Sequence, residues 1–356
     1  MRTRPRFDWP TDGGRGMIAA RNSRVDWKLA AIVFAAILTV IGALKLAGVA
    51  PTLAGRDLIQ ASFGSGRSFN GLLRELTPLL LLGISVFLAL QAGLFNIGAE
   101  GQFLLGSISA AAVALRIPGF GGAIAAVLAG MLAGAIWAWP AGWIKAYRGG
   151  HEVITTIMLN NIAIYLTTAL VSGALKDPTQ QSTTTASIAA SSHLPLLGVS
   201  EDLQISVAVI LALGMAAVLW FWLRRSVAGF ELRAAGTNPT AAKLAGISTP
   251  KVQLGAMAAS GAIAGLAGAF QVLAYEGRFY AGFSPGYGFD ALGVALLAGN
   301  SALALIPSAL AFAMLNQGAT RLTIEGVPRG ITNFILGLLI VIFAAFRYGR
   351  RKSSGG

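Results

Sequence analysis

A polar segment interrupts a long apolar stretch at residues 91–102, which read QAGLFNIGAEGQ. It holds three amide side chains, three glycines and Glu100, the only charged residue between positions 76 and 115. Irregular polar backbone persists at membrane depth only where it is buried in protein or lines a watery cavity. Glu100 therefore indicates a buried or functional polar site. The spacing is equally compatible with a short cytoplasmic turn that carries a solvated glutamate.

Enzymatic chemistry has no support elsewhere in the chain. There is no cysteine, and the two histidines, His151 and His193, leave little scope for a histidine metal site. Glu152 follows His151, but the second histidine of a zinc-protease helix is missing. No phosphate loop of the type Gly-x-x-x-x-Gly-Lys-Ser/Thr occurs. If the protein moves a molecule uphill, an ion gradient or a partner ATPase must supply the energy.

The elements that carry these residues are those of a membrane protein. The 356 residues are 55% hydrophobic and 12% charged, with a mean hydropathy of +0.69. Soluble domains carry roughly a quarter charged residues, so this composition excludes a soluble or a disordered chain. Most of nine charge-free windows are long enough for the roughly 20 apolar residues of a crossing. They are residues 29–44, 76–99, 101–115, 117–144, 153–175, 203–223, 252–275, 291–320 and 330–346.

Basic residues predict the orientation, because Lys and Arg accumulate in cytoplasmic segments. An even number of crossings must then separate the four basic segments, which are residues 1–28, 145–148, 224–251 and 347–352. This parity requires two passes in each of the stretches 76–115 and 291–320, with breaks near residues 98–101 and 299–301. The alternative is one long tilted helix at each place.

The resulting prediction is an all-α polytopic membrane protein with ten crossings and both termini in the cytoplasm. The two halves run in opposite senses, which favours an inverted repeat relating residues 76–172 to residues 252–346. Under this topology the whole net charge of +13 lies on the inner side. The basic excess is therefore an orientation signal, helped by attraction to anionic lipid, and does not indicate nucleic-acid binding.

The chain divides into three predicted regions. A basic cytoplasmic arm comprises residues 1–28, a transmembrane domain residues 29–346, and a basic cytoplasmic tail residues 347–356. The transmembrane domain includes a Ser/Thr-rich external loop at 176–202 and a cytoplasmic loop at 229–251. The arm is long and polar, so we expect the first apolar segment to be a retained anchor and not a cleaved signal.

The cytoplasmic loop contains a second informative segment, FELRAAGTNPTAAKLAGI at residues 230–247. Thr237 or Asn238 is placed to cap a short helix whose first residue is Pro239. Gly246 would end this helix. Its small side chains suit close docking into a partner's groove, whereas the alternative is a simple surface connector.

Three motifs resemble the permease subunits of bacterial ABC importers. They are FNIGAEGQ at 95–102, HEVITTIMLN at 151–160 and RAAGTNPTAAKLAGI at 233–247. The similarity is greatest to the nucleoside and simple-sugar permeases, which are related to ribose and branched-chain amino-acid permeases, and it covers about residues 28–346. It implies a type II-like importer fold in the bacterial inner membrane.

The resemblance also implies partners. Such a permease pairs with a second, often different, permease, with two cytoplasmic ATPase subunits, and with an external substrate-binding protein that is often a lipoprotein. ATP and Mg would then be bound by the partner subunits, and this chain would hold no cofactor or metal and would not be a catalyst. The segment 233–247 corresponds to the helix that couples the permease to the ATPase. The expected coupling residues are Arg233, Gly236, Thr237, Asn238, Pro239, Ala241, Ala242 and Gly246.

Polar residues in or beside the apolar windows, together with one aromatic residue next to them, are the candidates for the substrate pathway. They are Phe95, Asn96, Glu100, Gln102, Asn160, Asn161 and Asn300. Amides beside an aromatic ring suit a nucleoside, which is neutral, amphipathic and rich in donors and acceptors. Asn160 and Asn161 lie about 100° apart on a helix, so we expect only one to reach the pathway. The alternative for these asparagines is an interhelical hydrogen bond, worth about 1 kcal/mol.

Other functions remain open at this point. An anionic substrate would need intramembrane Lys or Arg, and Lys45 is the only one expected there. Free sugars of the ribose or galactose type and branched-chain amino acids are not separated from nucleosides. An ion-coupled secondary transporter would need ionisable groups at mid-membrane positions, against which the charge-free windows argue. A non-transporting membrane scaffold would not need broken helices at matching places.

Overall fold

A computed structural model describes residues 59–198 and 202–324, with a few isolated positions outside them. The N-terminal arm 1–28 and the tail 347–356 lie outside the described residues. So do the predicted first and last crossings, 29–44 and 330–346, apart from isolated positions.

The described residues include ten α-helices with defined bounds, a helical stretch at residues 59–63 and one short antiparallel hairpin. The helices are α1 Gly66–Gln91, α2 Ala99–Arg116, α3 Phe120–Arg148, α4 Glu152–Ser172, α5 Val207–Arg225, α6 Val227–Thr237, α7 Pro239–Leu244, α8 Thr249–Phe270, α9 Tyr287–Ala298 and α10 Leu305–Ile324. A π-helical turn, Gln271–Glu276, continues α8, and 3₁₀ turns lie at Ala190–Ser192 and Ala302–Ala304. Strands β1 Leu196–Gly198 and β2 Gln204–Ser206 pair with Leu196 opposite Ser206.

Six helical segments in the described part of the chain are long and apolar enough to cross a membrane. They are α1, α3, α4, α5, α8 with its π turn, and the segment Ala302–Arg321 that contains most of α10. Helix α9 is apolar but has only 12 residues. The fold is therefore that of a multi-pass helical membrane protein, and the count of ten crossings stays a prediction.

Helix α1 lies at the centre of the bundle. Every residue from 76 to 89 is buried, and the most apolar window of the helix is 83% buried. The corresponding windows of α3 and α4 are only 28% and 22% buried. Their exposed side chains are large and apolar, such as Leu128, Leu132 and Met158. This distribution is expected if α1 is surrounded by protein while α3 and α4 face lipid.

Small residues bring α2, α3 and α8 into backbone contact. A Cβ atom added at Gly265 of α8 would overlap the carbonyl oxygen of Gly130 in α3. One added at Gly106 of α2 would overlap the backbone of Gly265. In lipid, where no hydrophobic force drives helices together, such close packing is the main source of helix association. The many glycines of the apolar windows therefore have a packing role here.

The break predicted near residues 98–101 lies at residues 92–98, so residues 99–101 already belong to α2, and the break predicted near residues 299–301 is present. Helix α1 ends at Gln91 and α2 begins at Ala99, while α9 ends at Ala298 and Gly299 takes a positive φ of 79°. Their contacts with α1 show that α9 and α10 run in opposite directions. Tyr287 of α9 contacts Glu75, and Val294 of the same helix lies against Gly83, whereas in α10 Leu305 lies beside Gly83 and Gln317 beside Gly71. One long tilted helix is therefore excluded at residues 291–320.

Helices α1 and α2 also run in opposite directions. Ser85 and Thr77 of α1 bond to Ser260 and Tyr275, so α1 and α8 are antiparallel. The start of α2 lies at the level of Ser260. Gly119, just past its end, donates to Oγ of Ser192, and the nearby Leu194 donates to the carbonyl of Leu273 in the π turn after α8. The stretch 76–115 therefore also consists of two opposed helices, of which the second begins inside the bundle.

Candidate functional site

The segment between α1 and α2, residues 92–98, folds back into the bundle around Asn96. The Asn96 side chain is fully buried and uses both ends of its amide. Its Nδ2 donates to Oε1 of Gln102 at 2.9 Å and to Oγ of Ser260 at 2.8 Å. Its Oδ1 accepts from Nε2 of Gln102 at 3.1 Å and from the amide of Gly98 at 2.9 Å. Asn96 thus fixes this segment, which we call the re-entrant turn, against α8.

Asn160 fixes the same turn from the other side. Its Oδ1 accepts from the amide of Gly101 at 2.8 Å, and its Nδ2 donates to the carbonyl of Ile97 at 2.7 Å. Only 3% of Asn160 is exposed. Asn161 is exposed and donates to the carbonyl of Ile157 in its own helix. The two neighbouring asparagines therefore face different surroundings, and Asn160 bonds between segments.

Glu100 joins the start of α2 to the start of α9. It is 4% exposed, and its Oε2 accepts a 2.6 Å hydrogen bond from the amide of Gly288. A carboxylate near a helix N-terminus is stabilised by the helix dipole and by the free amide groups there. Gly288 permits the approach, because a Cβ atom would overlap the amide nitrogen of Glu100. The alternative of a solvated cytoplasmic glutamate is wrong, since Glu100 is buried.

The other two pathway candidates lie at the surface of the described chain. Phe95 is 38% exposed beside the buried Asn96, and Asn300 is exposed in the break between α9 and α10. Four of the seven candidates, Asn96, Glu100, Gln102 and Asn160, are therefore engaged inside the protein. Contact of any of the seven with a transported molecule stays a prediction.

The predicted coupling segment folds as α6 followed by α7. Asn238 caps α7, since its Oδ1 accepts from the amide of Ala241 at 3.0 Å, and Pro239 is the first helical residue. Gly246 follows the helix with a positive φ of 83°. Ala242 is 4% exposed and holds the short helix against the protein, while Leu244 is 87% exposed. The result is a small protruding helix with short side chains.

The remaining coupling candidates lie on α6 and at its end. Arg233 is exposed and its Nε donates to the carbonyl of Gly229, and the Thr237 hydroxyl donates to the carbonyl of Arg233 at 2.8 Å. Gly236 packs against the end of α1, where a Cβ atom would overlap the carbonyl oxygen of Gln91. It would also lie 2.8 Å from the amide nitrogen of Gly93. The coupling segment therefore contacts the re-entrant turn directly.

The structure adds a polar cluster that the sequence did not predict. The cluster comprises Arg74, Glu75, Gln271, Glu276 and Tyr287, and we call it the α1–α8–α9 cluster. Arg74 forms an ion pair with Glu276, and the Tyr287 hydroxyl donates to Oε1 of Glu75 at 3.1 Å. No group of three His, Cys, Asp or Glu residues in the described part of the chain could hold a metal ion.

Arg74 of this cluster shows that the helix begins earlier than its charge-free window. It is the ninth residue of α1, which begins at Gly66 and not near position 76. The expectation that Lys45 is the only basic residue in the membrane stays a prediction. Arg74 is tolerated in the helix through its pairing with Glu276, which is distant in sequence.

Comparison with known proteins decides the family. The model of the branched-chain amino acid transport system permease component matches residues 68–344. The chain belongs to this permease family. A guanosine ABC transporter permease of Bacillus subtilis is 36% identical over 293 residues, which cover 80% of this chain and 84% of the relative. No solved structure matches the chain.

Two further relatives cover nearly the whole chain. A glucose ABC transporter permease of Haloferax volcanii is 34% identical over 337 residues, covering 90% of this chain and 89% of the relative. A nucleoside ABC transporter permease of Lactococcus lactis is 33% identical over 326 residues, covering 89% of each. The resemblance predicted from the three motifs is confirmed. The chain is a membrane-embedded permease subunit of an ABC transporter, a family whose members work with ATPase and substrate-binding partners.

Proposed function

We propose that this chain is one permease subunit of an importer that moves nucleosides across the bacterial inner membrane by alternating access. The nucleoside assignment is supported by the guanosine and nucleoside permeases at 36% and 33% identity. ATP hydrolysis takes place in separate cytoplasmic subunits, which bind ATP and Mg, and this chain itself is not a catalyst. A second, different permease chain completes the pathway, and an external lipoprotein delivers the ligand.

The contact between Gly236 and the re-entrant turn carries the mechanism. Helix α7 docks in the ATPase, and α6 transmits its displacement to Gln91 and Gly93 at the end of α1. The turn between α1 and α2 moves in response. Asn96 and Asn160 tie this turn to α8 and α4, so its displacement changes the packing of both helices. The pathway then closes on one side and opens on the other.

The proposed topology has ten crossings, an inverted repeat and both termini in the cytoplasm. The starts of α2 and α9 meet at Glu100 and Gly288, which supports a repeat that places two broken segments face to face. The basic residues Lys145 and Lys243 lie at the α6–α7 end, which supports a cytoplasmic position for that end. Cysteines introduced at Ser182 and Thr240 test this orientation. Only the cysteine at position 182 should react with an impermeant maleimide added from outside, and the reverse pattern would contradict the topology.

A sugar permease is the second candidate, favoured by the 34% identity to the glucose permease. Nucleosides and glucose both carry vicinal hydroxyl groups, so a polyhydroxylated substrate is common to both assignments. Branched-chain amino acids lack vicinal hydroxyl groups. They are the third candidate substrate, and only the name of the family supports them.

Reconstitution of the whole transporter decides between these substrates. The complex with its binding protein is placed in liposomes, and ATP-dependent uptake of labelled guanosine, adenosine, ribose, glucose and leucine is measured. We expect uptake of the nucleosides when ATP is supplied at the α6–α7 side. Without ATP on that side, no uptake should occur. Uptake of glucose or leucine in place of nucleosides would overturn the nucleoside assignment.

A further inference from the structure

The π-helical turn at the end of α8 brings two polar side chains together. In a π turn the backbone bonds connect residues five apart, and such turns occur frequently at functional sites. Here Gln271 and Glu276 are the first and last residues of the turn. Nε2 of Gln271 donates to Oε1 of Glu276 at 3.2 Å. The turn therefore presents an amide and a carboxylate side by side.

Helix α1 adds one basic and one acidic side chain, those of Arg74 and Glu75, to this pair. Arg74 donates to the same Oε1 atom of Glu276, and Glu75 accepts from the Tyr287 hydroxyl. The Arg74 side chain is 45% exposed and that of Glu276 is 16% exposed. An exposed arginine on a central membrane helix does not face lipid, because the cost is too high. This side of the cluster therefore faces a watery space or a protein partner.

An unpartnered oxygen marks the interior of the cluster. Gln271 is only 2% exposed, and its Oε1 has no hydrogen-bond partner in the described part of the chain. Buried polar atoms are nearly always hydrogen-bonded, so such an acceptor indicates a missing donor. The Gln271 amide lies directly beside Glu276, which places this acceptor within the cluster.

Aromatic rings border the cluster on the side of α9. Phe103 meets Tyr287 edge-on, with ring centroids 6.0 Å apart, and Phe283 lies 5.9 Å from Phe103. Phe283 in turn stacks on Phe279 at 4.7 Å. These four rings are buried, and convergent polar groups beside aromatic side chains are typical of sites for small organic ligands.

We propose that the α1–α8–α9 cluster binds the vicinal hydroxyl groups of the transported molecule. Carboxyl oxygens of Glu75 and Glu276 accept hydrogen bonds from hydroxyls, and Oε1 of Gln271 accepts another. Arg74 donates to the hydroxyl oxygens and balances the charge of Glu276. Oε1 of Gln271 is buried in this structure. A ligand therefore reaches it only when the π turn separates from α1. This inference rests on the proposed function, because it deepens the substrate class of that transporter.

Paired nucleosides test the assignment in the reconstituted transporter with its unaltered binding protein. The probes are a ribonucleoside and its 2′,3′-dideoxy analogue, and uptake by each variant is divided by wild-type uptake for the same probe. Gln271→Met keeps the length of the side chain and removes the acceptor. We expect ribonucleoside uptake to fall about tenfold further than dideoxynucleoside uptake, because the lost partner is a hydroxyl. Glu75→Gln removes one of the two carboxyl oxygens and keeps one acceptor, so it should show a smaller loss of the same selectivity.

Asp202→Asn is the matched control, since Asp202 is an exposed carboxylate paired with Arg67 outside the cluster. It should leave the uptake of both probes at the wild-type level. Equal losses for the two probes, or no loss, in Gln271→Met and Glu75→Gln would overturn the site. If wild-type protein transports glucose and no nucleoside, the proposed nucleoside function fails separately. The cluster is then tested in the same variants with glucose and a dideoxyglucose.

Discussion

Gly236 of α6 packs backbone to backbone against Gly93 in the re-entrant turn. The Cα atom of Gly236 lies only 3.2 Å from the position that a Cβ on Gly93 would take, and Gly93 has a positive φ of 75°. Neither residue therefore tolerates a side chain without displacement of the other. This contact joins the predicted docking segment to the interior of the membrane domain.

The first prediction concerns this contact. Gly236→Ala places a methyl group on the carbonyl of Gln91, so the turn must shift. We expect ATP-dependent uptake to fall at least about tenfold, because small displacements at a packed junction have large effects on rate. The ATP hydrolysed per molecule imported should rise. Gly214→Ala is the control, since nothing lies within 4 Å of its added Cβ. Wild-type uptake and coupling in Gly236→Ala would contradict the transmission role.

Helix α7 yields a prediction that separates two neighbouring alanines. Ala241 is exposed and Ala242 is buried. Ala241→Glu should weaken binding of the ATPase subunit while the membrane domain keeps its melting temperature. Ala242→Glu should also destabilise the α6–α7 segment, because it buries a charge without a partner. Co-purification of the ATPase and thermal unfolding of the permease measure the two effects.

Ser182→Glu serves as the control for α7, because it adds an exposed carboxylate in the loop between α4 and β1. It should leave ATPase binding unchanged. Full ATPase binding by Ala241→Glu would contradict the docking assignment and indicate that α7 is only a surface connector.

Glu100 should act on transport through α9. Glu100→Ala leaves the amide of Gly288 without its acceptor, and leaving a buried donor unsatisfied costs about 1–3 kcal/mol. We expect a lower melting temperature and reduced uptake. Glu100→Gln keeps an acceptor oxygen and should restore part of both. If Glu100→Ala is as stable and as active as wild type, the hydrogen bond between Glu100 and Gly288 does not contribute to transport.

The contact of α3 with α8 predicts a strong size limit at Gly265. Gly265→Ala would overlap the carbonyl oxygen of Gly130, and such overpacking costs about 1–3 kcal/mol. We expect a lower melting temperature of the purified complex. Gly255→Ala lies on the same helix with nothing within 4 Å of the added Cβ, so it should be neutral or stabilising. Equal melting temperatures for the two variants would show that the helices separate easily.

Local patterns predicted the parts of the fold that depend on neighbours in sequence. The cap at Asn238, the first position of Pro239 and the breaks near residues 98–101 and 299–301 follow from residue type and charge balance. The α1–α8–α9 cluster was missed because Arg74 and Glu276 neutralise each other across 202 positions. The partners of Asn96 include Ser260, a single serine in an apolar window that gives no local signal. Tertiary pairing alone distinguishes a buried amide from one that lines a pathway.

At Gly106, Gly130 and Gly265 the backbones of α2, α3 and α8 touch directly, with few side-chain atoms between the helices. Helices in such direct backbone contact move together as a rigid body. We therefore expect the motion of transport to occur at the border of this block. The re-entrant turn at Asn96 and the π turn that begins at Gln271 both lie on that border. A cross-link between α3 and α8 should then leave transport intact, whereas one that fixes the re-entrant turn to α8 should stop it.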